Sequence, residues 1–179
     1  MRLFTAINFS EEVKEGVHQS VQKLRAASRK GSFTLKENIH LTLVFIGETN
    51  KTEAIKEAMD KTAQGLKLSP FYISLGELDK FKRQEGDIYF MAVKKQPNLE
   101  SLQGRLSQEL TAAGFSIEKR PYKAHITLGR RVILKEGISY EELKNSINPI
   151  KTLSDSISLM LSDRVNGKLV YREIYRRSL

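Results

Sequence analysis

Two of the three histidines open the same four-residue pattern, His40-Leu41-Thr42-Leu43 and His125-Ile126-Thr127-Leu128. On a β-strand, residues i and i+2 face one way, about 6.5–7 Å apart, while i+1 and i+3 face the other. Each motif therefore presents an imidazole and a hydroxyl to one side and turns an apolar pair toward a core. Imidazole titrates near neutrality, so one ring can donate a proton while a second accepts one. The hydroxyls can hydrogen-bond the oxygens of a group held between them. Two such strands side by side would suit in-line phosphoryl chemistry by general acid and base. A lone strand histidine is ordinarily a half-buried polar residue, and threonine is common in strands for propensity reasons. The repetition argues otherwise, since two such matches among three histidines arise by chance in about one chain in a thousand. A zinc reading lacks an obvious third ligand.

The elements that must position these motifs follow from the pattern of the chain. Residues 2–9 alternate apolar and polar side chains and read as a strand. Ser10 followed by Glu11 and Glu12 caps a helix running to about Arg29, with Val13, Val17, Val21 and Leu24 on one face. Residues 39–47 form a strand closed by Gly47, a second helix covers 51–66, and strands follow at 70–78 and 87–94. Leu99, Leu102, Leu106 and Leu110 mark one face of a helix over 98–114, stopped by Gly114. A strand over 124–133, a short helix over 139–147 and strands over 151–161 and 168–176 complete the chain, the last two joined by an Asn166-Gly167 hairpin turn. Several strands are adjacent without a helix between them. An α+β fold with mixed or antiparallel sheets and helices outside is expected. Each half also places a long helix before a strand that opens His-x-Thr-Leu, which suggests an internal duplication.

Composition narrows the classes further. The 179 residues carry 30 Lys plus Arg against 21 Asp plus Glu, a formal charge of +9 that favours a polyanionic partner. With no cysteine, disulfide frameworks, thiolate metal sites and cysteine nucleophiles are excluded. No apolar run approaches the ~20 residues of a membrane helix. The opening residues lack the apolar region and cleavage site of a signal peptide, so no membrane association and a cytoplasmic location are expected.

Around the motifs, Lys123 shares the His125 face by alternation and adds positive charge there. Strict alternation turns Arg130 away from that face unless Gly129 bends the strand, and Arg131 reads as surface. Phe33, Tyr122, Phe81 and Tyr89 are candidates for stacking on an unpaired base, against the commoner role of an aromatic ring in a core. His18 reads as a surface side chain. The basic run Tyr171–Arg177 reads as an edge strand guarded by charge.

The motif pair resembles the signature of the 2H phosphoesterase superfamily, named for two H-x-T/S-x motifs. Within it the chain is similar to the RNA 2′,3′-cyclic phosphodiesterases, also called the LigT-like or 2′-5′ RNA ligase family. The opening MRLFTAINF resembles that family's first strand. FTLKENIHLTLVFIG (residues 33–47) resembles its stretch aromatic-x-x-x-E-N-L-H-L-T-L-x-F-L-G, and KRPYKAHITLGR (119–130) resembles R-x-F-x-P-H-I-T-L-A-R. Two departures stand out: Ala124 replaces the usual proline, and Phe33 fills a position often held by tryptophan. The resemblance implies one domain over 1–179 built of two lobes with pseudo-twofold symmetry, each lobe contributing one motif to a central cleft. It implies metal-independent hydrolysis of 2′,3′-cyclic phosphates at RNA ends, tRNA fragments among them, leaving a 2′-phosphomonoester. His40 would be the proton donor and His125 the proton acceptor, although the near-symmetry of the motifs leaves that direction open in the residues themselves. Thr42 and Thr127 would hold the non-bridging oxygens, with Arg130, Lys123, Phe33 and Tyr122 as further substrate contacts, no metal and no cofactor. A monomer is expected. The rival readings are 2′-5′ RNA ligation, hydrolysis of a small cyclic nucleotide, and an RNA-binding module without turnover.

Overall fold

The computed structural model describes residues 1–179. Nine strands alternate irregularly with four helices, and all the strand pairings are antiparallel. The strands are β1 (Arg2–Asn8), β2 (Ser28–Phe33), β3 (His40–Glu48), β4 (Phe71–Phe81), β5 (Asp87–Val93), β6 (His125–Leu134), β7 (Ile150–Ser154), β8 (Ser156–Val165) and β9 (Lys168–Ser178). The helices are α1 (Glu11–Ala26), α2 (Thr52–Leu66), α3 (Pro97–Ala112) and α4 (Tyr140–Asn145). One sheet has the order β3-β1-β8-β9 and the other β2-β6-β5-β4-β7. Superposing the order β3-β1-β8-β9 on β6-β5-β4-β7 pairs each motif strand with the other, and only β2 is extra. The duplication suggested by the sequence is thus visible as two lobes with matching strand order. The helices are exchanged between them: α1 follows β1 but packs on β2 and β6, while α3 follows β5 and packs on α2 and β3.

The helices form where local signals agree with the apolar stripe. Ser10 caps α1 by accepting from Val13 N–H, Glu11 and Glu12 sit at its positive end, and Lys23 and Arg25 sit at its negative end. Pro97 starts α3 at the position where a missing N–H costs nothing, and the Gln96 side chain caps two free amides. Leu99, Leu102, Leu106 and Leu110 of α3 join a continuous core of 30 buried residues that runs through both lobes. Leu41, Leu43, Ile126 and Leu128, the apolar halves of the two motifs, belong to that core. Burying each contributes roughly 1.5–3 kcal/mol and holds the motif strands in one face assignment.

The structure departs from the sequence reading in three places. The first helix ends at Ala26, and residues 28–33, expected partly as helix, pair with β6 as an outer strand. The continuous strand expected over 151–161 is broken at Asp155: β7 closes one sheet and β8 enters the other. Uniform β-propensity cannot report that a chain changes sheets. Strand β4 also continues to Phe81 rather than stopping at 78, because β5 supplies a partner along that length. The Asn166-Gly167 hairpin forms as expected, with both residues at positive φ.

Candidate active site

The two motifs lie on strands of different sheets, and β3 and β6 approach each other along the edges that β1 and β5 leave unpaired. β3 is the outermost strand of its sheet, and β6 loses its outer neighbour where β2 stops at Phe33, opposite Gly129. On each strand the histidine and threonine are half-buried while the intervening residues are fully buried, as alternation requires.

The imidazoles are held alike. His40 Nδ1 donates to the carbonyl of Asn38 at 2.7 Å, and His125 Nδ1 donates to the carbonyl of Lys123 at 2.7 Å. A carbonyl can only accept, so Nδ1 carries the proton in both rings and Nε2 is the reactive nitrogen. Nε2 of His40 lies 2.9 Å from Thr42 Oγ1. The rings are also wedged. His40 sits between Phe4 (centroids 4.9 Å apart) and Tyr171 (5.0 Å, edge-on), and His125 between Phe90 (5.1 Å) and Phe81 (5.4 Å).

Burial disfavours the charged form of both rings. It pushes His40 down to about 4, only partly opposed by the Asn38 carbonyl, and the charges of Arg130 and His125 lower it further. His125 is lowered as well, first by burial and then by Arg130, Lys123 and Arg120. Both imidazoles therefore favour the neutral form at neutral pH.

Arg130 acts on both histidines because the strand slips at a bulge. In the ladder with β5, Phe90 pairs with Thr127 and Tyr89 with Gly129, so Leu128 is an extra residue. Leu128 and Gly129 are both buried, and the parity of the strand reverses at Arg130, which comes onto the face of His125 and Thr127. The departure from strict alternation comes from the extra residue Leu128. An equivalent slip occurs in β3, where Leu43 is extra between Thr42 and Val44. There the residue brought onto the histidine face is Phe45, which is 55% exposed. Sequence reasoning overlooked Phe45, although it stands at the position in the first motif that Arg130 holds in the second.

The remaining expected residues are placed as follows. Lys123 lies over the Phe81 and Phe90 rings that flank His125, as alternation implies, but its charge is paired with Asp79 at 2.9 Å. Phe33 packs against the core with its ring over Gly129 and under the Arg25 guanidinium. Tyr122 is half-buried, and its hydroxyl donates to the carbonyl of Thr42 at 2.9 Å, which ties the ring into the lobe junction rather than leaving it free to stack. Tyr89 is a core residue at 2% exposure. His18 is not a surface side chain: it is half-buried, with Nδ1 enclosed and unpartnered. Arg131 is exposed, and the Tyr171–Arg177 run is an edge strand as read, but Tyr171 turns inward onto His40. Asn38, also missed, holds His40 with its carbonyl and bridges to β9 with its side chain. No group of three His, Cys, Asp or Glu side chains is arranged to hold a metal ion. No helix is long and apolar enough to cross a membrane.

This arrangement has counterparts among known proteins. The chain is 29% identical over 180 residues to an RNA 2′,3′-cyclic phosphodiesterase of Thermotoga maritima, covering 98% of this chain and 94% of that one. It is 28% identical over 141 residues to a protein of the same name from Bacillus subtilis, covering 78% of this chain and 76% of the relative. The fold superposes on Escherichia coli LigT complexed with 3′-AMP at a TM-score of 0.76 and 24% identity, covering 99% and 97% of the two chains. It also superposes on a Thermus thermophilus protein at a TM-score of 0.74 and 22% identity, covering 100% and 98%. The model of the 2′-5′ RNA ligase superfamily matches residues 13–166, a span that takes in both histidine motifs. By that match the chain belongs to the 2′-5′ RNA ligase superfamily, the 2H phosphoesterases.

Proposed function

We propose that the protein hydrolyses 2′,3′-cyclic phosphates at RNA ends to 2′-phosphomonoesters, without a metal ion. The observation that carries this reading is the matched pair of imidazoles. Each is locked with Nδ1 on a backbone carbonyl, which turns Nε2 toward chemistry, in His40 beside the Thr42 hydroxyl, and the Arg130 charge acts on both. The names of the relatives from Thermotoga maritima and Bacillus subtilis favour the same substrate.

The anionic cyclic phosphate binds at Arg130, with the hydroxyls of Thr42 and Thr127 donating to its non-bridging oxygens. Its negative charge offsets the positive field and raises the imidazole pKa values, so that one ring takes up a proton as substrate enters. The resemblance to the 2H phosphoesterases assigns that proton to His40, although burial holds this ring at about 4 in the free protein. His125 Nε2 then removes a proton from water as its oxygen attacks phosphorus, and His40 Nε2–H protonates the departing 3′ oxygen as the P–O3′ bond breaks. The 2′ ester bond survives. His125 ends protonated and His40 neutral, and exchange with solvent resets the pair. Phe45, exposed on the same face, offers a flat apolar surface to the terminal base.

The test is to incubate an oligonucleotide 2′,3′-cyclic phosphate with the protein, with and without EDTA, and to identify the product. A 2′-phosphomonoester formed equally in both is expected. A 3′-phosphomonoester would reverse the leaving-group assignment, and loss of turnover on chelation would refute the metal-free reaction.

A further inference from the structure

The two motif strands lie in different sheets with no backbone ladder between them, yet acid–base catalysis across a cleft requires a fixed spacing of the two imidazoles. Two side-chain hydroxyls tie the segment leading into each motif strand to the other motif strand. Thr34, which leads toward β3, donates from Oγ1 to the carbonyl of Thr127 at 2.8 Å, and its own N–H donates to Leu128 at 2.9 Å. Tyr122, which leads into β6, donates from its phenol to the carbonyl of Thr42 at 2.9 Å. We propose that Thr34 and Tyr122 are reciprocal positioning residues: the segment entering each motif strand clamps the backbone of the other motif's threonine and so sets the separation of the imidazoles. The proposal rests on the phosphodiesterase reading only for its kinetic arm.

A hydroxyl that satisfies a stray carbonyl is common in proteins. Here both bonds fall on the same position of the two motifs and run in opposite directions: Tyr122 reaches from the segment before β6 to β3, and Thr34 prolongs the β2–β6 pairing into the segment that leads to β3. The clamping segments are also the ones that orient the rings. Lys123, whose carbonyl holds His125 Nδ1, follows Tyr122 directly, and Asn38, whose carbonyl holds His40 Nδ1, lies on the segment that Thr34 begins. A shift of either clamp therefore moves one ring and the opposite strand together. Burial holds the Tyr122 phenol in its protonated form, so it remains a donor across the working pH range.

The experiment compares Tyr122→Phe, Thr34→Val and Thr34→Ser with the parent protein, below the onset of thermal unfolding of each. One arm follows the pH midpoints of both imidazoles by NMR in the free protein, which needs no turnover. The other measures the single-turnover rate and KM on a cyclic-phosphate oligonucleotide. Each clamp is one hydrogen bond, so its loss is expected to slow turnover about 5-fold with KM within twofold. Both midpoints should move in each variant, His40 responding to Tyr122→Phe and His125 to Thr34→Val, and Thr34→Ser should restore parental behaviour. Parental midpoints and rates in both Tyr122→Phe and Thr34→Val would overturn the proposal. So would midpoint changes confined to the nearer ring, a loss seen only in KM, or a Thr34→Ser variant as slow as Thr34→Val. A parent protein that fails to turn over the oligonucleotide while the midpoints respond as described would sink the phosphodiesterase reading and leave the clamp standing.

Discussion

At the scale of single residues, both reactive nitrogens are defined by what the other nitrogen of the ring does. Asn38 and Lys123 take the Nδ1 protons, and the aromatic wedges leave each imidazole little rotational freedom. General acid–base steps contribute about 10²–10⁴-fold, so His40→Ala and His125→Ala are each expected to lose that much kcat/KM with the fold intact. Steady-state kinetics and circular dichroism check this together. The pH profile carries more detail. Productive enzyme needs one ring charged and one neutral, and in the free protein burial and Arg130 hold both pKa values below the ordinary 6.5. The alkaline limb of kcat/KM, which reports the free enzyme, should therefore fall below pH 6.5. The limb of kcat should lie at higher pH, because bound phosphate favours the imidazolium. Removing the neighbouring positive charge in Arg130→Gln should move the kcat/KM limb upward while raising KM. Coincident limbs above pH 6.5 in the parent would contradict this account.

At the scale of elements, the site depends on a matched pair of strand slips. Each motif strand has one extra residue just past its threonine, and the residue that follows the slip changes face. Arg130 and Phe45 are the consequences: a guanidinium in one lobe and an exposed aromatic ring in the other. The β6 slip is braced from outside by the β4–β5 hairpin. Gly86 there has φ +109°, and a Cβ would stand 2.7 Å from the Arg131 carbonyl carbon and 2.9 Å from its oxygen. Both atoms are backbone, so neither can swing away. Gly86→Ala is expected to destabilise the protein by about 1–3 kcal/mol from the backbone conformation alone, with more from the clash. It should also raise KM, because Arg131 adjoins Arg130. Urea denaturation and KM on the same sample provide the check, and an unchanged midpoint would mean that the hairpin does not brace β6.

At the scale of the whole molecule, the matching strand order of the two lobes brings two similar His-x-Thr motifs together beside one guanidinium, Arg130. The formal charge of +9 and Arg130 in the cleft favour an anionic strand over a lone nucleotide. Lys123 contributes less than its position suggests, since Asp79 pairs with it. Each flanking phosphate gripped on a single strand adds roughly −0.7 to the slope of log K against log salt. KM for a cyclic-phosphate oligonucleotide should therefore rise more steeply than KM for a cyclic mononucleotide between ~50 and ~200 mM salt. Equal slopes would show that the charge serves the surface as a whole and not an RNA strand.

The sequence alone determined what depends on local spacing. His40 and Thr42, and likewise His125 and Thr127, share a face because strands alternate with period two. The helix of Leu99 to Leu110 follows from a stripe of leucines, and the β8–β9 turn from Asn166-Gly167. The repeated motif also made the duplication legible, because a copied segment keeps its pattern. Tertiary structure decided whatever depends on a partner strand. Residues 28–33 carry no strong preference of their own and became β2 because β6 offered an open edge. Asp155 divides β7 from β8 because two separate sheets compete for one apolar run. Arg130 and Phe45 face the cleft because of slips that exist only in a ladder, where one strand must accommodate an extra residue against its neighbour. Phe33 packs over Gly129, and Tyr122 ties to the Thr42 carbonyl, for the same reason. An aromatic ring can stack on a ligand or fill a junction with identical chemistry, and only the packing around it chooses.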